Sequence, residues 1–270
     1  MIRGPAAQAG AGRASGASSL ESTRLSLLVD FGNSRLKWAV TDGTTWESDA
    51  VLINDQEVAT QLTACWSALP PPEKVVIASV ASATRLHAVS AWVQGRWSVA
   101  PRVVQPQRQQ LGVTNGYRDV ASLGSDRWAA LIAARHLTRR PVCLVDCGTA
   151  VTVDALSADG EFLGGVIFPG LRLLRRSLIT DTAGILTVDG DPESYPGRTT
   201  ADGVAAGTAV GLCGAIERIV GDYRRMLGEA MEVMITGGDA ARLLPQLSLT
   251  VTHVPDLVLR GLARIAEQLP

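Results

Sequence analysis

Two short segments of the chain carry the same chemical pattern: Asp30-Phe31-Gly32-Asn33-Ser34 and Asp146-Cys147-Gly148-Thr149-Ala150. In each, an acidic residue ends an apolar run, a glycine comes two residues later, and a hydroxyl side chain stands close behind it. A carboxylate at the carboxyl end of a buried strand sits where ligands gather in open α/β sheets. It suits magnesium, which prefers oxygen ligands and keeps several of its waters. The glycine lets backbone come close to a phosphate, and the N–H groups around it form an anion-binding nest. A single Asp-x-Gly is a common turn. Two of them, each between apolar strands, point to phosphate chemistry. The sequence has no Gly-x-x-x-x-Gly-Lys-Ser/Thr segment, which excludes a P-loop enzyme.

Other residues could complete such a site. Lys37 follows the first turn and can reach back to a nucleotide phosphate as a point charge, or stand as an exposed strand lysine. Leu123-Gly124-Ser125-Asp126-Arg127-Trp128 opens a helix, and two readings of it stand side by side. Asp126 could take the proton of an attacking hydroxyl while Arg127 binds an anionic group. Equally, Ser125 could cap the helix, with Asp126 favoured in the first turn by the macrodipole. Gly124 favours the site, because a glycine admits close approach. Gly164-Gly165-Val166-Ile167-Phe168-Pro169-Gly170 could wrap a small ligand or be a plain turn, and Thr236-Gly237-Gly238-Asp239-Ala240 could pack against a nucleotide at a helix N-terminus. Asp181, Asp189, Asp191 and Glu193 read as solvated loop carboxylates, and His87, His136 and His253 have no partner pattern.

The elements that must hold these residues follow from apolar periodicity. Apolar strands are expected over 25–29, 36–40, 74–80, 99–104, 141–145, 151–156, 162–167 and 232–235. Helices are expected over 56–69, 84–94, 126–137 and 257–268, with further helices between the last strands. Leu28-Val29-Asp30-Phe31-Gly32 matches Leu144-Val145-Asp146-Cys147-Gly148, so the second half repeats the opening of the first. The chain is therefore α/β with a duplicated core, one domain over 25–140 and the other over 141–270. Residues 1–24 are rich in Ala, Gly and Ser without apolar periodicity and read as a flexible N-terminal extension rather than a signal peptide.

Bulk composition narrows the function. Apolar residues make up 46 %, charged residues 19 %, and the net charge is −1, which leaves no electrostatic footprint for nucleic acid. No run of about 18 consecutive apolar residues marks a membrane span. The four cysteines form no CxxC pair, which argues against zinc and for a reduced, cytoplasmic compartment.

Taken in order, these segments resemble the type III pantothenate kinases. The resemblance rests on Asp30 through Lys37, Asn115-Gly116-Tyr117, Gly124 through Arg127, Asp146 through Ala150, Gly164 through Gly170, Gly197-Arg198-Thr199-Thr200 and Thr236-Gly237-Gly238. It implies the actin-like, ribonuclease H-like fold, with two domains of mixed sheets flanked by helices. It also implies ATP-dependent phosphorylation of pantothenate to 4'-phosphopantothenate, the first step of coenzyme A synthesis. Asp126 then resembles the general base. Asp30, Phe31, Gly32, Asn33, Ser34, Arg35, Leu36 and Lys37, with Thr149, would hold ATP. Tyr117, Gly124, Ser125, Asp126, Arg127 and Thr200 would contact pantothenate. Asp146 matches a monovalent-cation position taking potassium or ammonium, and Asp30 is a candidate for the magnesium that accompanies ATP. The resemblance further implies a homodimer with its substrate pocket near the subunit interface. Two alternatives use the same fold: a kinase acting on a sugar, and a regulatory accessory protein.

Overall fold

The computed structural model describes residues 25–53, 57–185 and 189–269. The expected N-terminal extension over 1–24, and Gln56 at the expected start of the first helix, lie outside the described residues.

The first sheet grows from a hairpin. Strands β1 (Ser26–Phe31) and β2 (Arg35–Thr41) run antiparallel, and the Gly32 N–H closes the turn onto the Arg35 carbonyl at 3.0 Å. Strand β3 (Trp46–Leu52) continues the meander, while β4 (Lys74–Ser79) and the short β5 (Arg102–Val103) add in parallel on the far side of β1. β1 reads as a near-continuous apolar run because both of its faces are covered. Leu27, Val29 and Phe31 meet helices α1 (Val58–Trp66) and α2 (Ala83–Trp97), whereas Leu28 points the other way. Beneath the helices Trp66 is the hub of an aromatic cluster, its ring centroid 6.0 Å from Trp38, 5.6 Å from Trp92 and 6.2 Å from Trp97. Ring pairs at such separations add favourable contacts beyond burial alone.

The second sheet repeats the plan. Strands β8 (Val142–Cys147), β9 (Ala150–Leu156) and β10 (Glu161–Pro169) form the meander, and β11 (Glu232–Thr236) and β12 (Thr252–His253) add in parallel beside β8. The first sheet is ordered β3-β2-β1-β4-β5, and the second contains β10-β9-β8-β11-β12 in the equivalent places. The duplication, which the sequence shows over a few residues, extends through every strand of the first sheet. Two strands, β6 (Gln109–Gln110) and β7 (Val113–Asn115), extend the second sheet beyond β10, although they precede it in the chain.

Helices α3 (Ser125–Leu137) and α7 (Leu257–Ala266) form the middle layer. Their core joins Leu28 and Val76 of the first sheet to Leu144 and Met234 of the second. Helices α4 (Leu171–Asp181), α5 (Thr200–Leu227) and the one-turn α6 (Ala240–Leu243) lie on the second half of the chain. Within α5, Ala209, Leu212, Ile216 and Val220 enter a separate core against Val145, Val153 and Ile235. Among the described residues α5 alone is long and apolar enough to cross a membrane by length and composition, and 44 % of that stretch is buried inside the fold.

Candidate active site

Both Asp-x-Gly turns open onto one cavity of about 480 Å³ between the two sheets, lined also by Lys37, Asp126 and Arg127. The register explains the convergence. Asp30 sits near the end of β1 beside Ala78 of β4, and Asp146 sits near the end of β8 beside Thr236 of β11. Each carboxylate therefore occupies the same point of a repeated topology. Lys37 is the direct cross-strand partner of Asp30 on β2, so it is a site lysine rather than a detached surface one.

The carboxylates raise one another's proton affinity. Burial lifts Asp30 to about 7, Lys37 partly offsets this, and the charges of Asp126 and Asp146 add to the rise. Burial likewise lifts Asp146 to about 6, with the same opposition from Lys37. At Asp30 and Asp146 the charge of Lys37 opposes the neighbouring carboxylates only in part, and a bound cation would relieve the rest. No group of three or more His, Cys, Asp or Glu among the described residues forms a ready-made metal site. The carboxylates thus fit a hydrated magnesium ion arriving with phosphates better than a closed protein cage.

The first turn is braced from outside. Arg85 of α2 lies over the Phe31 ring at 5.1 Å and donates to the Asn33 carbonyl at 2.7 Å. The two turns also meet each other: Ser34 Oγ and Thr149 Oγ1 share a hydrogen bond of 3.0 Å, and Arg172 of α4 donates to Ser34 Oγ at 2.6 Å. A guanidinium at the junction of two glycine-containing turns is suited to phosphate oxygens. Arg172, Arg175 and Arg176 of α4, at helical spacing, put positive charge along the cleft, and no motif marks them in the sequence. Asp189, expected as a solvated loop residue, also lines the cavity.

Asp126 lies in the first turn of α3, at the cleft. Its Oδ1 accepts the Arg127 backbone N–H at 2.7 Å. Burial raises its pKa, against the opposing pull of that bond and of the Arg127 charge. Gly124 leaves room for this carboxylate, since a Cβ there would come within 2.5 Å of Asp126 Oδ1. Ser125 is not the cap of α3; Gly124 holds the N-cap position. The Ser125 hydroxyl accepts from the Ser79 N–H at 2.8 Å and donates to the Ser79 carbonyl at 3.1 Å, pinning α3 to the end of β4.

Arg127 is held at three nitrogens. Its Nε donates to Asp154 Oδ2 at 3.0 Å, Nη2 donates to Asp154 Oδ1, and Nη1 donates to the Tyr117 hydroxyl at 2.9 Å. Burial disfavours the charge, but the bonds to Asp154 outweigh it and keep the guanidinium cationic. Gly165 makes room for the pair, because a Cβ there would collide with Asp154 Oδ1 and Arg127 Nη2. The glycine-rich segment 164–170 is thus largely strand, and at Gly165 it makes room for an ion pair. Asp154 had no signal of its own in the sequence, since it reads there as one more residue of a strand.

Several expected site residues stand apart from the cleft. The Phe31 and Leu36 side chains are core residues. Ser125 is buried, its hydroxyl engaged with Ser79, and Tyr117 reaches the cleft only through Arg127. Thr200 lines a different cavity of about 700 Å³, between α4 and α5, with Phe168, Leu174 and Val204. Gly237, in contrast, approaches the second turn closely: its φ is +98°, and a Cβ would come within 2.5 Å of Asp146 Oδ1.

The duplicated sheets with paired Asp turns facing one cleft define the actin-like, sugar-kinase-like fold. A protein from Sinorhizobium meliloti described as a 2-dehydro-3-deoxygalactonokinase superposes with a TM-score of 0.58 at 18 % identity, over 89 % of this chain and 98 % of that one. A protein from Campylobacter jejuni described as a Baf family transcriptional activator superposes with a TM-score of 0.55 at 19 % identity, over 90 % and 98 %. The sequence then fixes the family. The type III pantothenate kinase model matches residues 26–222. The chain is 38 % identical over 248 residues to a type III pantothenate kinase of Nitrosococcus oceani, covering 89 % of this chain and 93 % of the relative. It is 41 % identical over 244 residues to one of Nitrosospira multiformis, covering 90 % and 92 %. The protein belongs to the type III pantothenate kinase family.

Proposed function

We infer that the protein transfers the γ-phosphoryl group of ATP to the primary hydroxyl of pantothenate. The observation that carries this reading is the single cleft in which the Asp30 and Asp146 turns face Asp126 and Arg127. The N–H groups of the 30–34 turn and Lys37 hold the phosphates, and Arg127 takes the substrate carboxylate. Asp126 accepts the hydroxyl proton as that oxygen attacks the γ-phosphorus, and the bond to the β-phosphate bridging oxygen breaks to release ADP. Magnesium bound with ATP supplies positive charge to the phosphate oxygens, and Asp30 is the residue placed to hold it. Asp146 is assigned to potassium or ammonium. A division into lobes near residue 140, a cytoplasmic location and action without nucleic acid or membrane belong to the same reading.

A homodimer is also inferred. The face of α5 carrying Gly203, Gly207 and Gly211 meets open space, and it borders the apolar cavity that contains Thr200. A second copy seated there would bring Thr200 to the substrate of one subunit or the other. A coupled ADP-release assay tests the activity. Turnover with pantothenate that depends on magnesium and rises with potassium supports it, and turnover of glucose or N-acetylglucosamine alone overturns it.

A further inference from the structure

Arg127 has five N–H donors. Asp154 takes one from Nε and one from Nη2, and Tyr117 takes one from Nη1. The two left over belong to one terminal nitrogen each, and Arg127 lines the cleft beside Asp126. Donors on the two terminal nitrogens of one planar group form a fork suited to a carboxylate. The support behind this fork is built into the fold. Asp154 is 1 % exposed and Arg127 7 % exposed, and the backbone of β10 passes them at Gly165, where only a hydrogen fits. Asp154 itself stays behind Arg127 and is absent from the cavity wall.

We propose that Asp154 is a positioning residue that sets substrate selectivity: it fixes the Arg127 fork so that the cleft prefers an alcohol bearing a carboxylate over its neutral counterpart. The proposal rests on the pantothenate reading above. Arginine is long and rotatable, and an untethered guanidinium loses side-chain freedom on each binding event. The paired oxygens of Asp154 remove that freedom in advance. They also choose which edge of the guanidinium faces the substrate, because Nε is turned inward.

The test uses two alcohols that differ only at the far end, pantothenate and pantothenyl alcohol, whose carboxylate is replaced by a hydroxymethyl group. For Asp154→Asn, the KM for pantothenate is expected to rise about 10- to 100-fold, the scale on which binding falls when the outer partner of a metal ligand is lost. The KM values for pantothenyl alcohol and for ATP should stay within about twofold of the parent protein. A purely structural role would instead move both alcohols together. That result, or a pantothenate KM that is unchanged or lowered, overturns the proposal. Should Asp154→Asn not fold, Asp154→Glu keeps the charge pair and displaces the fork by a methylene, and the same selective loss is expected. If the parent protein phosphorylates neither alcohol, the kinase reading fails by itself. Calorimetric titration of both alcohols into parent and variant then decides the role of Asp154.

Discussion

The residue that bears most directly on chemistry is Asp126. As the proposed base, its carboxylate must be ionised to take a proton, and burial raises its pKa. The acid limb of kcat/KM should therefore fall above the ordinary aspartate value of about 4. Asp126→Asn should reduce kcat by about 100- to 10,000-fold with ATP binding retained. The same substitution should stabilise the unliganded protein. A carboxylate whose folded pKa is raised binds its proton more tightly in the fold than in the unfolded chain, so stability falls as pH rises from the unfolded value through the folded one. At neutral pH this group is a net liability, compounded by its repulsion of Asp30 and Asp146. Thermal melts at pH 7.5 should show a higher Tm for the variant, and a lower Tm would contradict the electrostatic account.

At the level of elements, the site depends on how α3 is fastened. Its first turn is tied to β4 through the two hydrogen bonds between Ser125 and Ser79. Ser125→Ala leaves the Ser79 N–H and carbonyl without these partners, at a cost of about 1–3 kcal/mol in chemical denaturation. Activity should fall further than stability alone explains, because Asp126 and Arg127 follow immediately on the same turn. Elements whose apolar pattern is strong were legible from the sequence: β1, β4, β8, β11 and α7 lie within a residue or two of expectation. β3 was not, because Trp-Glu-Ser-Asp-Ala-Val-Leu forms a largely exposed edge strand in which Val51 alone packs against the core, too little to show a period. β6 and β7 are too short to carry a period; they are strands because they pair with each other and because β7 pairs with the distant β10. The paired Asp turns and Asp126 announce themselves by local pattern. Asp154 and Arg172 do not, because their roles come from contacts with Arg127 and Ser34 far along the chain.

On the scale of the whole molecule, duplication places two equivalent carboxylates across one cleft, and the α3–α7 layer belongs to both sheets at once. The Ser34–Thr149 bond closes the cleft at the turns. Nucleotide phosphates would enter at that junction, so ligand binding and lobe separation share the same groups. The inferred dimer is checked by sedimentation: the parent should run as two copies, and Gly207→Arg, which puts a charged side chain on the open face of α5, as one. A parent that sediments as a single copy would remove Thr200 from the site.

The aromatic cluster around Trp66 also makes the protein optically lopsided. All six tryptophans lie at or before Trp128, so the half of the chain that carries β8 through β12 emits no tryptophan fluorescence. Emission during denaturation therefore reports the first sheet, its helices and α3, whereas far-ultraviolet circular dichroism reports both halves. Because the middle layer is shared, the two signals should trace one transition. Separate midpoints would show that the dark half comes apart on its own.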